Sequence, residues 1–362
     1  MSPKGLLVLA SVTLGAVALA AHAIITRDVP VTTVVYDEPL FPGLAERIGE
    51  VASIRVRYED KTATVRRTER GWTIDELDGY PVDPGKVQSL ARSLVTARLL
   101  EAKTDRPERW NRLELDEPGT PRPDGGKSRS KELVLVDGRG ETIARLYVGK
   151  TRYGLFGPGR GGVYVRRAED SRAWLLDRRI EVPEEPLDWI DRQIVDLPRT
   201  QIARVVLRPD REDRLAIRRT SREATDFALE PVPAGRKADP NRVERLADAL
   251  SGLSLQDVRA AAKVPFAEDA PRARFETVDG IVLEARLHKE GEGDDASFWV
   301  RFAVFTGEAL PGEPAANAKP AVERARELSA RLDGWAFKLS KWAGERFAWT
   351  VEDLLEPADK TS

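Results

Sequence analysis

Few residues in this sequence have types that suit acid–base, nucleophilic or metal chemistry. There is no cysteine, which excludes disulfides, thiolate nucleophiles, iron–sulfur clusters and cysteine-ligated zinc. Of the two histidines, His22 lies in an uncharged leader, so any histidine-dependent site must use His288. His288 ends a predicted strand before the acidic turn Lys289–Asp295, which lacks the spacing of a calcium loop. We interpret His288 as part of a solvated hairpin and predict no catalytic residue and no metal ligand.

Two glycine-containing stretches have the outline of nucleotide-binding loops. Gly157–Gly162 has the glycine spacing of a dinucleotide fingerprint, but Val163–Val165 behind it is typical of a strand, where the fingerprint needs a helix. Gly149–Thr151 is similar to the end of a phosphate-binding loop, yet Ala144 stands where the first glycine should be. The sequence therefore predicts no cofactor.

Arginine pairs and spaced tryptophans give two weaker signals. Arg66–Arg67 and Arg218–Arg219 recur at equivalent places and suit anion binding, although a charged sheet face explains them better. Tryptophans seven residues apart suggest a stacking face for sugars, but large aromatic residues more often lie in a core. These tryptophans are Trp335, Trp342 and Trp349.

Composition limits the class of partner. The 362 residues include 58 Lys+Arg and 60 Asp+Glu, giving a net charge of -2. Without an excess of cations, nucleic acid is not expected as a partner. The length suggests about two domains, each able to bury its own core.

The amino end sets the expected compartment. Gly5–Ile25 contains no charged residue, and at about 1.5 Å per residue this run matches a hydrocarbon core of about 30 Å. We predict a single-pass transmembrane anchor over residues 1–27 in the bacterial inner membrane, with the rest facing the periplasm or exterior. A cleaved signal peptide is the alternative, because Ala21–Ala23 has the form of a cleavage site.

The remaining chain contains two similar halves. Several segments recur in the same order at offsets of about 135 to 156 residues, as expected for a tandem duplication. They include Val51–Arg57 with Ile202–Arg208, Asp83–Val87 with Asp239–Val243, Ala144–Leu146 with Ala285–Leu287, and Tyr164–Arg166 with Trp299–Arg301.

Local patterns indicate what each half contains. Ser53–Arg57 and Thr64–Thr68 alternate apolar and polar residues, as half-buried strands do. Asp83 and Asp239 each precede a proline and an apolar stripe at helical spacing, which predicts an N-capped helix in each half. We therefore predict an α+β fold: the transmembrane helix, then two related repeats with mostly antiparallel sheets, each packed on one main helix.

The predicted domains follow from breaks in these patterns. The first repeat spans residues 28–185 and the second 186–356, divided where Val182–Pro186 interrupts regular structure. Residues 104–130 and 308–321 are predicted loops, and residues 357–362 a disordered tail.

The assembled features resemble the bacterial domain of unknown function 4340 family. The resemblance rests on segments spread over nearly the whole chain: Pro39–Leu44, Tyr80–Asp83, Leu187–Arg192, Gly334–Leu339 and Glu352–Leu355. It implies no established catalytic residues. Members are often encoded beside ABC-type transporters with subunits similar to gliding-motility proteins, which implies transporter subunits as partners.

These observations together predict a non-catalytic accessory of an ABC-type transport or envelope system that acts through protein–protein contacts. A periplasmic module that binds glycan or an anionic polymer between the two halves is the alternative. A carboxylate-dependent hydrolase is a third hypothesis, although among 60 acidic residues a carboxylate pair carries little weight.

Overall fold

A computed structural model of the chain describes residues 37–122, 124–155, 157, 161–220, 226–307 and 318–357. The predicted anchor, residues 1–27, lies outside these ranges, as does residue 159 of the glycine-rich run.

The first half is built on a nine-stranded sheet. After the short helix α1 (Leu44–Arg47), its strands are β1 (Val51–Tyr58), β2 (Lys61–Thr68), β3 (Gly71–Ile74), β4 (Tyr80–Pro81), β5 (Leu99–Ala102), β6 (Lys131–Asp137), β7 (Thr142–Tyr153), β8 (Gly161–Arg167) and β9 (Ala173–Leu176). Helix α2 (Pro84–Thr96) connects β4 to β5. The strand order is β4-β3-β2-β1-β6-β7-β8-β9-β5, with antiparallel neighbours throughout.

The second half has an eight-stranded antiparallel sheet and a small two-stranded one. Its strands are β10 (Gln193–Val195), β11 (Ile202–Leu207), β12 (Leu215–Arg219), β13 (Phe227–Glu230), β14 (Leu253–Ser254), β15 (Asp257–Ala260), β16 (Arg272–Thr277), β17 (Ile281–Glu290), β18 (Ser297–Thr306) and β19 (Trp335–Leu339). Its helices are α3 (Pro240–Ala247), α4 (Ala318–Leu332) and α5 (Lys341–Ala348). The large sheet has the order β13-β12-β11-β16-β17-β18-β19-β15, while β10 pairs with β14.

The two large sheets follow the same succession of strands. If β4 is left out, the two sheets have the same strand order. In that order β1–β3 correspond to β11–β13, and β5–β9 correspond to β15–β19. The core register agrees as well: Ile54 lies opposite Val65 and Leu135. In the second sheet Val205 lies opposite Ile217 and Phe275. A strand can therefore be compared with its counterpart, position by position.

The N-caps predicted for two helices are confirmed. The Asp83 carboxylate accepts a hydrogen bond from the Gly85 backbone N–H at 2.8 Å, and Pro84 begins α2. The Asp239 carboxylate accepts from the N–H groups of Asn241 and Arg242 at the start of α3. An aspartate oxygen satisfies amides that have no partner within the helix, which fixes where each helix begins.

The predicted fold class, a transmembrane helix followed by two repeats each packed on one main helix, is wrong. The described residues form mostly antiparallel sheets with few helices. None of the helices in these ranges is both long and apolar enough to cross a bilayer. In the second half three helices, α3, α4 and α5, contact the large sheet. The physical reason is that alternating strand residues, rather than one helical stripe, supply most of the buried core. The domain limits 28–185 and 186–356 stay a prediction.

One buried core contains residues of both halves. It includes Val56 and Val65 from the first sheet and Val205 and Phe275 from the second. Trp189, which is fully buried, belongs to the same core and follows the proline-rich break between the halves. The chain therefore enters the core directly after the proline-rich segment Val182–Pro186.

Candidate functional site

The two halves meet through specific contacts at the edge strand β4. The ring of Tyr80 packs edge-on against Trp335 of β19, with 4.9 Å between the ring centroids. The carboxylate of Asp78 accepts hydrogen bonds from the Ala260 N–H at 3.0 Å and the Lys263 ammonium at 2.5 Å. The hydrogen bond from Lys263 is the main cause that lowers the pKa of Asp78. We call these four side chains and the Ala260 amide the joint.

A cleft of about 810 Å³ opens beside the joint. Tyr80, only 7% exposed, is its aromatic residue, and burial raises the pKa of its phenol. The ionisable residues that line the cleft besides Tyr80 carry balanced charge: Asp83, Lys86, Asp188, Asp191, Arg192 and Arg331.

The cations of the cleft bind atoms of the protein itself. The Lys86 ammonium donates to the carbonyl oxygens of Asp188 and Ile190, the latter at 3.1 Å. Arg192 donates to the Asp188 carboxylate at 2.8 Å. Arg331 donates to the Ile194 carbonyl at 2.8 Å. These contacts fasten α2 and α4 to the segment that links the two halves.

The carboxylates of the cleft have partners as well. Asp83 caps α2, and Asp191 accepts from the Gln193 N–H at 2.9 Å. Asp188 also accepts from the Glu185 N–H at 3.2 Å, forming a capping box for the turn Pro186–Trp189. Each ionisable side chain therefore has a role in holding the local structure.

A second candidate lies on the face of the second sheet opposite its helices. Arg272 on β16 lies directly across from Arg286 on β17, which lies directly across from Arg301 on β18. We call these three residues the arginine row. Like charges directly opposite each other on neighbouring strands destabilise a sheet. A cavity of about 400 Å³ opens over the row.

The row at the corresponding place in the first sheet has different chemistry. There Glu132 on β6, Tyr147 on β7 and Arg166 on β8 lie in register. Glu132, only 6% exposed, accepts a hydrogen bond from Arg145 and lies 3.1 Å from the Arg57 guanidinium. This row therefore contains a single arginine, and its carboxylate pairs with two arginines beside the row.

Aromatic rings close the first row. The Arg166 guanidinium lies 3.7 Å from the Trp110 ring centroid and 4.2 Å from that of Tyr147. Burial is the main cause that lowers the pKa of Arg166 and raises that of Tyr147. The segment that brings Trp110 over the sheet belongs to residues 104–130, for which the sequence predicts only a loop. Stacked and enclosed, Arg166 acts as a structural residue.

The segment over the second row is shorter and covers less. The Arg301 guanidinium lies 5.1 Å from the Phe266 ring centroid. Arg286 donates to the carbonyl oxygens of Ala267 and Glu268, both at 2.6 Å. Sequence reasoning found Arg286 and Arg301 only as members of repeated segments and did not predict that they lie side by side.

Gly149 lies in β7 and Gly162 in β8, where Val163–Val165 form the strand that was predicted behind the glycines. A Cβ on Gly149 of β7 would lie 2.1 Å from the Leu113 carbonyl oxygen. A Cβ on Gly162 of β8 would lie 2.3 Å from the Leu176 carbonyl oxygen. Both glycines therefore allow a close backbone approach, and neither opens a helix that could bind phosphate.

The remaining candidates from the sequence do not converge on one site. His288 lies opposite Trp299 on the sheet, with its ring 6.1 Å from that of Phe266. Within the described ranges, no three His, Asp or Glu residues are grouped so that they could hold a metal ion. Arg67 and Arg219 donate to the carbonyl oxygens of Gly49 and Ile202, so both support local structure.

The three spaced tryptophans do not share a face. Trp335 packs in the joint, Trp349 is half-buried against the core, and Trp342 is 62% exposed. Trp342 lies on α5 with its ring centroid 4.1 Å from the Arg346 guanidinium. The hypothesis of a sugar-stacking surface built from all three tryptophans is therefore wrong.

Comparison with known proteins places the chain in a family. No curated protein and no solved structure matches it significantly. A family model described as a domain of unknown function, DUF4340, matches residues 72–272, which is more than half of the chain and includes the linking segment and most of the cleft. The resemblance found in the sequence is confirmed, and the chain belongs to the DUF4340 family.

Proposed function

We propose that this DUF4340 protein is a non-catalytic accessory that works outside the cytoplasm by binding protein partners. The expected partners are subunits of an ABC-type transport or envelope system. The observation that carries the proposal is that each charged side chain lining the cleft beside the joint binds another part of the protein. A proton-transfer site needs a group free to exchange its proton with substrate, whereas these groups serve the fold.

The fold suits a docking role because its two large sheets are fixed to each other. The joint combines ring packing between Tyr80 and Trp335 with the bonds from Ala260 and Lys263 to Asp78. A fixed geometry lowers the entropic cost of binding, since few side chains or loops must be ordered on contact.

Trp342 is the side chain that best suits contact with a partner. It is 62% exposed, and the Arg346 guanidinium lies 4.1 Å from its ring centroid, which limits the freedom of the ring. Interfaces between proteins are enriched in tryptophan, and a pre-positioned aromatic residue makes an effective anchor.

Site-specific photo-crosslinking tests the proposal. A photoreactive amino acid replaces Trp342 in the full chain, and in a matched control it replaces Gln88, an exposed residue of α2. After irradiation of intact cells, we expect a discrete adduct with a transporter subunit at position 342 and none at 88. If position 342 gives no adduct beyond the background at 88, and no partner co-purifies from gently solubilised membranes, the proposal is wrong.

The extracytoplasmic location is proposed from the sequence of Gly5–Ile25, which lies outside the described residues. Digestion of spheroplasts with added protease tests it. We expect cleavage of the chain in spheroplasts without lysis, with a cytoplasmic protein as the protected control. Protection of both proteins until lysis would rule the location out.

A further inference from the structure

We propose that the cavity over the arginine row binds a compact ligand that carries two or more oxyanionic charges. This goes beyond the proposed docking role, since it assigns a small-molecule site to the second sheet. Two observations carry it: the charge of the row and the contrast with the first sheet.

The positive charges of the row are only partly compensated. Arg272 lies 2.9 Å from Asp210 and 3.9 Å from Glu284. Within the described part of the chain, Arg301 has no ion pair, and Arg286 donates only to backbone carbonyls. Two neighbouring guanidinium groups therefore lack a carboxylate partner, an arrangement that an added anion would stabilise.

The first sheet shows that the fold does not require this excess of charge. At the corresponding positions Glu132 supplies a buried carboxylate and Tyr147 a neutral ring beside Arg166. In the second sheet Arg272 and Arg286 take these two places. Since the same strand order forms with the neutral Tyr147 at the position of Arg286, the fold does not require an arginine there, and we explain it by function.

The carboxylates of the cavity lining decide where the negative groups of a ligand lie. Glu284 and Asp333 line the cavity, and because Glu284 faces Arg272, the ligand's negative groups belong beside Arg286 and Arg301.

Size and spacing define the ligand class. The cavity of about 400 Å³ has room for a small molecule. Neighbouring strands are about 4.8 Å apart, so the row presents guanidinium groups over roughly 10 Å. Planar guanidinium groups form paired hydrogen bonds with carboxylate and phosphate alike. A diphosphate or a polycarboxylate therefore satisfies the site, and the experiment distinguishes the two.

Isothermal titration calorimetry with the purified full chain tests the site. Pyrophosphate and citrate are the two probes, and acetate is the singly charged control. We expect saturable binding of at least one probe, weakened by salt, with acetate inactive. Arg301→Gln should weaken binding about tenfold or more, because it removes a charge-assisted contact. Arg218→Gln, on the same sheet face but outside the cavity, should leave the affinity unchanged.

A second variant separates binding from folding. Asp333→Asn removes a carboxylate from the cavity lining and should tighten binding of the same probe several-fold, a gain that a misfolded protein would not show. A thermal melt of each variant checks that it folds. Failure of both probes to bind, equal affinity of Arg301→Gln and the unmodified chain, or binding of acetate as tight as that of either probe would overturn the proposal. None of these results bears on crosslinking at Trp342, so the two proposals fail separately.

Discussion

Arg286 and Arg301 lie directly opposite each other on β17 and β18, at the positions that Tyr147 and Arg166 occupy in the first sheet. In the first sheet the guanidinium stacks on a neutral ring, and Trp110 covers it. In the second, guanidinium faces guanidinium beneath a shorter segment. Two sheets with one strand order therefore differ in how they accommodate charge at this row.

Relief of repulsion within the arginine row should be measurable as stability. We expect Arg301→Gln to raise the free energy of unfolding by about 0.5 kcal/mol at low ionic strength, because a like charge opposite Arg286 is removed. The gain in stability should shrink with added salt, because salt screens the repulsion between Arg286 and Arg301 in the unmodified chain. Urea denaturation at two salt concentrations checks this, with Arg70→Gln in an exposed turn as the control. A loss of stability at low salt would contradict the repulsion.

Trp110 should stabilise the first sheet through Arg166. Trp110→Ala removes a ring 3.7 Å from the guanidinium and an indole N–H that donates to the Ser171 carbonyl at 3.0 Å. We expect a loss of about 2 kcal/mol in the free energy of unfolding. Tyr153→Ala is the matched control, since Tyr153 is 76% exposed, and it should change stability by less than about 0.5 kcal/mol. Equal effects of the two would show that the stacking contributes nothing.

Gly149 should tolerate no side chain. A Cβ at this position would approach the carbonyl oxygens of Leu113 and Glu114 to 2.1 and 2.7 Å, so the backbone of β7 or of the crossing segment must move. We expect Gly149→Ala to cost about 3 kcal/mol or to prevent folding. Gly138→Ala provides the control, because no atom lies within 4 Å of its added Cβ. Thermal melts of the two variants test this, and similar melting temperatures would show that β7 is not constrained there.

Features set by local sequence could be predicted well. Aspartate followed by proline gave the starts of α2 and α3, and alternating residues gave β1 and β2. The repeated segments Val51–Arg57 and Ile202–Arg208 fall on β1 and β11, which have the same place in the two orders. Each of these signals acts over a few residues, which is why a single sequence can carry it.

Features that depend on weak stripes or on register could not be predicted. The start of α4 falls inside the predicted loop 308–321, and its buried residues include Ala321 and Ala325, which give little periodic signal. The arginine row depends on pairing between distant strands. Sequence similarity aligns Arg286 with Arg145, whereas the strand pairing places it at the position of Tyr147. The β6–β7 pairing also contains a register shift between Leu135 and Val136, which the β16–β17 pairing lacks. A shift of this kind is decided by the folded sheet.

The joint should make stability depend on pH through Asp78. Its pKa is lowered from 3.8, mainly by the hydrogen bond from Lys263, so folding favours the ionised carboxylate. A carboxylate with a lower pKa in the folded state adds stability that is fully present above its unfolded pKa. That contribution is lost as the pH falls below 3.8 towards the folded pKa. The Ala260 N–H donates to the same carboxylate, so a backbone amide and the Lys263 side chain both bind this charged group.

We therefore expect Asp78→Asn to lower the free energy of unfolding by about 1 kcal/mol near neutral pH, a modest value because the Lys263 ammonium is exposed to screening. The difference from the unmodified chain should narrow in acid, where both lack the charge. Asp137→Asn is the control outside the joint: its pKa is also lowered, by backbone N–H groups of its own turn. Urea titrations at several pH values measure both variants, with Lys263→Gln as the partner change. If Asp78→Asn and Lys263→Gln add independently when combined, the two side chains are not coupled, and the joint does not depend on this ion pair.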